Sequence, residues 1–109
     1  MKVRIDILED YLNERYSGRV NEQSLFMKLV EEMGEAAEVL NMRAGRKDAI
    51  SEDLHLELGK ELADIIHYAV AIAAVNQIDL NKIMLEKDKK ASEKYHHDVN
   101  LEMFIQNHQ

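Results

Sequence analysis

Carboxylates fall into two short runs of this chain. Glu31, Glu32, Glu35 and Glu38 crowd one stretch, and Glu57, Glu61 and Asp64 line another. Residues three or four apart on a helix are neighbours. If both runs are helical, Glu32 and Glu35 share one flank, and so do Glu61 and Asp64. Glu31–Glu35 and Glu57–Glu61 are then like-charge pairs, mildly destabilising without a counter-cation. The nearest basic residues are Lys28 and Lys60. Asp64 stands directly before an apolar run beginning at Ile65, and Glu32 and Glu61 fall at the edges of apolar stripes. Partly buried carboxylates are costly unless paired or metal-bound. Two such helices side by side would converge Glu32, Glu35, Glu61 and Asp64 on one spot. Hard oxygen ligands without histidine or cysteine suit Mg2+, with Mn2+ possible. Such an ion commonly bridges phosphate oxygens, neutralises charge and positions or activates water. An acidic stripe is more often a solvated face, and Glu31, Glu38 and Glu57 taken alone fit that reading.

The elements that must carry these acids are helices. Apolar spacing predicts a first helix over about 3–16, with Ile5, Leu8 and Leu12 on one face. A break follows at Ser17-Gly18-Arg19-Val20-Asn21. A second helix spans about 22–43, with Leu25, Leu29, Met33, Ala36 and Leu40 as its buried stripe. Ala44-Gly45-Arg46 ends it. Residues 47–52 read as a loop with Ser51 a plausible N-cap, and a third helix runs from about 53 to 76. Its second half, Ile65 to Val75, is apolar nearly all round, the pattern of a helix buried on most sides. Asp79 caps a fourth helix over about 80–95. In the tail, Leu101, Met103, Phe104 and Ile105 suggest packing on something, such as a neighbouring subunit. The expected fold is an all-α four-helix bundle, assembled as a homo-oligomer because one short chain has few helices to surround so apolar a third one.

Composition agrees. The 109 residues fit one domain, 1–109, with a modest core. There is no proline and there are only four glycines, which favours long helices. The absence of cysteine excludes disulfides and thiolate metal sites. A net charge of −7 gives no general attraction to nucleic acid or anionic lipid. A phosphorylated ligand would therefore need metal or clustered lysines. No signal peptide or membrane span is expected, and the reading is cytoplasmic.

The stretch from Leu25 to Glu38, LFMKLVEEMGEAAE, resembles the first signature of the MazG-like all-α nucleoside triphosphate pyrophosphohydrolases. Their EExxE, spacer, ExxD pattern is met by Glu31-Glu32, Glu35 and Glu61-Leu62-Ala63-Asp64, followed by the apolar run. Gln77-Ile78-Asp79-Leu80 is similar to the family's turn into its fourth helix. The resemblance implies magnesium held by Glu32, Glu35, Glu61 and Asp64. It implies hydrolysis of a nucleoside triphosphate to monophosphate and pyrophosphate, in a homodimer or dimer-based tetramer that clears aberrant or excess nucleotides. Glu31 would help orient water or a second metal. The family also carries a lysine, an asparagine and an arginine late in the fourth helix. Lys90 matches the lysine, Ala91 replaces the asparagine and Lys94 the arginine. Lysine keeps the charge but not the bidentate fork. Lys28 and Lys87 are further candidates for the phosphates.

Other residues have blander readings. His67 lies three after Asp64, but the di-iron bundles need two glutamate-first steps to histidine, so a structural role is expected. His55, His96, His97 and His108 show no ligand spacing. Phe26, Tyr11 and Tyr16 read as core or rim, and Met27, Met33 and Met42 as helix fillers. Two alternatives stand beside the triphosphate hydrolase: a non-catalytic helical dimerisation module, and a phosphoribosyl-ATP pyrophosphohydrolase.

Overall fold

The structure is a computed structural model and describes residues 1–49 and 53–108. Five helices are present among them and no strand: α1 (Ile5–Tyr16), α2 (Glu22–Arg43), α3 (Leu54–Val75), α4 (Leu80–Lys94) and α5 (Leu101–Asn107). The α2 boundaries coincide with the sequence expectation, and α1, α3 and α4 differ by one or two residues. The tail corrects the four-helix expectation. It forms a short helix on α4 of its own chain, and the Leu101 N–H donates to Asp88 Oδ2 at 2.6 Å.

Local chemistry accounts for the ends. Side-chain oxygens of Asn21, Asp53, Asp79 and Asn100 accept the backbone N–H of Ser24, Leu56, Lys82 and Met103 at 2.8, 2.9, 3.0 and 2.9 Å. Ser51, the expected cap of α3, lies outside the described residues. Three helices close with a left-handed residue, Gly45 (φ 76°), Gln77 (φ 57°) and His96 (φ 58°). After each, an N–H reaches back to a carbonyl at 2.9 Å: Arg46 to Asn41, Ile78 to Ala73 and His97 to Ser92.

The core lies where α1, the first half of α2 and the second half of α3 meet. Leu12, Leu25, Val70, Ala71 and Ala74 are buried together, with Ile5, Leu8, Tyr16 and Ile72 packed around them. Burial of a leucine such as Leu12 or Leu25 stabilises by about 1.5–3 kcal/mol. The buried stripe of α2 differs from the expected one. Leu25, Ala36, Val39 and Met42 are buried and Leu29 is half-buried, whereas Met33 and Leu40 are 54% and 51% exposed. The stripe follows a 3.5-residue repeat rather than steps of four, as two long helices packed lengthwise require. That repeat places Glu32 inside the stripe. The matching line on α3 is Leu58, Glu61, Ile65, Tyr68, Ile72 and Val75, all half-buried.

The expectation that α3 is buried on most sides fails within one chain: Leu62 and Ile66 remain 47% and 55% exposed. α2 packs on α3 and α1 on α3, while the main packing of α4 is with α1 and α5. The radius of gyration is 16.9 Å, against about 13 Å for a compact chain of this length. No helix among the described residues is long and apolar enough to cross a membrane.

Gln77 holds a left-handed conformation that disfavours a Cβ, with no turn requirement beyond closing α3. Gln77→Gly should raise stability by up to about 1 kcal/mol, read as a higher midpoint in urea unfolding; an unchanged or lower midpoint contradicts this account of the α3 end.

Candidate active site

The seam between α2 and α3 brings acids from both runs together. One carboxylate oxygen each from Glu32, Glu61 and Asp64 lies within 4.8 Å of the others. Glu32 and Glu61 are half-buried and Asp64 is exposed, so the cluster has an inner and a solvent side. Glu35, one turn along α2, faces the same pair closely enough to raise the pKa of both. Beyond it a cleft of about 250 Å³ opens between the helices, lined by Glu35, Glu38, Val39, Met42, Leu54, Glu57 and Glu61.

Three lysines near these helices are engaged by other acids. Lys28 pairs with Glu31 at 3.3 Å, Lys60 with Glu57 at 3.4 Å and Lys47 with Glu38 at 3.2 Å. Among the described residues no lysine or arginine pairs with Glu32, Glu35, Glu61 or Asp64. The Oε2 atoms of Glu32 and Glu61 are buried without a hydrogen-bond donor. A buried carboxylate with neither donor nor cation is unfavourable as an anion. Glu32 is accordingly pushed up to about 7, first by sharing a hydrogen bond with Glu61, then by desolvation and the charge of Glu35. The same hydrogen bond pulls Glu61 down, but burial and Glu35 outweigh it and leave Glu61 raised. Both carboxyls are thereby biased towards their neutral form.

Of the other residues singled out by sequence, Glu31 and Lys28 lie beside the cluster and hold one another, both exposed. Lys87, Lys90 and Lys94 are exposed on α4 and form no ion pair with the acids; the Lys94 ammonium lies 5.4 Å from the centre of the Tyr95 ring. His67 accords with its structural reading, its Nε2 lying 2.7 Å from Tyr16 Oη. Sequence reasoning missed Tyr68. Burial raises its pKa, and Tyr16, Lys28, Glu32 and Asp64 all act on it, so its phenol borders the acids. Its position one turn beyond Asp64 on the Glu61 line was the available signal.

The acids thus recur with family spacing and meet in space. The family profile described as MazG nucleotide pyrophosphohydrolase domain matches residues 20–99. The chain belongs to this family. The MazG match takes in α2, α3 and α4 whole and leaves α1 and α5 outside. Comparison with curated proteins and with solved structures finds no match.

The acid cluster sets a pH dependence for metal-free protein. Folded Glu32 keeps its proton to about pH 7, whereas an unfolded glutamate releases it near 4.5. Between these values the folded state binds more protons, so stability falls as pH rises. The thermal midpoint in chelator should decline from pH 5 to pH 8, and Glu32→Gln should flatten that decline; an identical slope in the variant contradicts the assignment.

Proposed function

We propose that this chain is a magnesium-dependent pyrophosphohydrolase acting on nucleoside triphosphates. The observation that carries this reading is the pair of donorless Glu32 and Glu61 oxygens inside a helix seam, with Asp64 and Glu35 beside them and nearby lysines engaged elsewhere. An all-oxygen set of this charge fits Mg2+, or Mn2+ in its place. Glu32, Glu35, Glu61 and Asp64 would hold the ion. Bound there, the ion supplies charge neutralisation on phosphate oxygens and a positioned water.

The chain's own residues do the rest. Water oxygen bonds to one phosphorus of the α–β anhydride as that phosphorus's bond to the bridging oxygen breaks, leaving monophosphate and pyrophosphate and releasing the water's proton to solvent. Glu31 stands one residue from Glu32, with its carboxylate at the solvent edge, and is assigned to orienting the water. Lys28, now on Glu31, is within reach of an entering phosphate. Lys87, Lys90 and Lys94 ride on a helix without substantial packing on α2 or α3, so we assign them to the phosphates in the assembled homodimer rather than the single chain. The cellular role that fits is clearance of unwanted nucleotides.

Dimerisation is supported by a second apolar line. Phe26, Val30, Met33 and Leu40 on α2 and Leu62 and Ile66 on α3 are all exposed, each by 44% or more. Their spacings are four, three and seven on α2 and four on α3, as in a helix-packing seam. A second copy, as the core of a dimer or a dimer-based tetramer, is the occupant we assign. The open shape of the single chain suits it, since large contiguous apolar patches are rare on monomers.

Wild-type protein should release pyrophosphate from a panel of ribo- and deoxyribonucleoside triphosphates with magnesium and not with chelator. Glu35→Gln and Glu61→Gln should each lower kcat by more than the roughly 10–100-fold typical of residues that only support a metal's ligands. No release by folded protein would leave a non-catalytic module. Ile66→Glu should shift the mass seen by light scattering from a multiple of 12.6 kDa towards a single chain. Wild-type protein that is already monomeric would sink the dimer.

A further inference from the structure

The last turn of α1 lies outside the MazG match, yet it meets α3 one turn beyond Asp64. Tyr16 Oη and His67 Nε2 are 2.7 Å apart. The Tyr16 and His67 rings meet edge-on at 5.7 Å, and His67 and Tyr68 meet likewise at 4.9 Å. Arg15 sits on this cluster. Its Nη1 donates to Tyr11 Oη at 3.2 Å, and its guanidinium carbon stands 5.7 Å from the centre of the Tyr16 ring. Two phenols thus orient the guanidinium but leave its charge unneutralised.

Most cations of this chain have no ion pair among the described residues; what sets Arg15 apart is that two tyrosines orient it. Aspartates and glutamates number 21 against 14 lysines and arginines, yet among the described residues no carboxylate lies within ion-pair distance of Arg15. Its charge is felt on α3: burial lowers the pKa of His67 first, and Arg15 lowers it further. Across the rings, Lys28 acts on Tyr68. Two cations therefore flank the Tyr16, His67 and Tyr68 rings at the Asp64 border of the acids.

We propose that Arg15 is a phosphate-binding residue of this site, taking triphosphate oxygens that the acidic centre does not hold. The proposal rests on the pyrophosphohydrolase reading. A guanidinium grips two phosphate oxygens at once, which lysine cannot do, and the cations of α4 are all lysines where the family resemblance leads one to expect an arginine. Tyr11 is a positioning residue that acts through Arg15. The rival role for Arg15 is a surface cation complementing the C-terminal end of α1.

The test uses magnesium tripolyphosphate binding by calorimetry, KM and kcat on the best triphosphate of the panel, and thermal midpoints. Arg15→Ala should weaken tripolyphosphate binding and raise KM by about tenfold or more, with kcat nearly unchanged. Arg15→Lys should recover part of the loss, and Tyr11→Phe should show a smaller KM rise. Unmoved binding and KM, or a lowered midpoint with KM untouched, overturns the proposal in favour of the surface-cation role. If wild type releases no pyrophosphate but tripolyphosphate binding still depends on Arg15, the hydrolase reading falls and the Arg15 assignment stands. Hydrolysis with Arg15-independent binding keeps the hydrolase reading and overturns the Arg15 assignment. Wild type that neither binds nor turns over overturns both.

Discussion

Glu32 and Glu61 occupy positions in the α2–α3 seam that the flanking residues fill with Leu29 and Ala36 on one side and Leu58 and Ile65 on the other. Burying two carboxyls face to face costs free energy that packing alone does not return. The metal-free chain lessens that cost by keeping a proton on the pair. A divalent cation would remove it altogether, because opposed anions become ligands. Much of the neighbourhood follows from this one constraint. The lysines on these helices sit three residues from Glu31 and Glu57 and pair with them, leaving Glu32 and Glu61 without a cation.

The same two helices are asked to pack twice. One line of 3.5-residue spacing closes α2 on α3 and holds the acids; a second, Phe26 through Leu40 with Leu62 and Ile66, is left bare. In the proposed dimer, covering this second line would link assembly to the site. Oligomerisation would stiffen the seam in which the acids stand, and metal would relieve the strain within it. On that reading stability and function would be coupled through α2 and α3, while α5 packs on α4.

Much of the fold was legible in residue order. Helix boundaries followed from Asn21, Asp79, Gly45 and the apolar spacing, because caps and periodicity are local properties. The tail helix was harder: seven residues cannot hold a helix alone, and α5 depends on Asn100 as cap and on Asp88 thirteen residues earlier. The α2 stripe departs from expectation at Met33 and Leu40 because steps of four and a 3.5 repeat share their first members and part only after two turns.

Within the acids, sequence alone determined identity, spacing and the family signature, since EExxE and ExxD are fixed by covalent order and helix pitch. It could not say which acids pair with lysines and which face one another, because that depends on how α2 is rotated against α3. Tertiary packing made that choice, turning Glu32 and Glu61 inward and Glu31 outward, with Glu57 half-buried at the cleft and paired with Lys60. It also brought Tyr16, and with it Arg15, from α1 to His67, 51 residues away in the chain, beside the acids. No periodicity encodes such a meeting, because contact between distant elements is set by burial of the core they share rather than by local order.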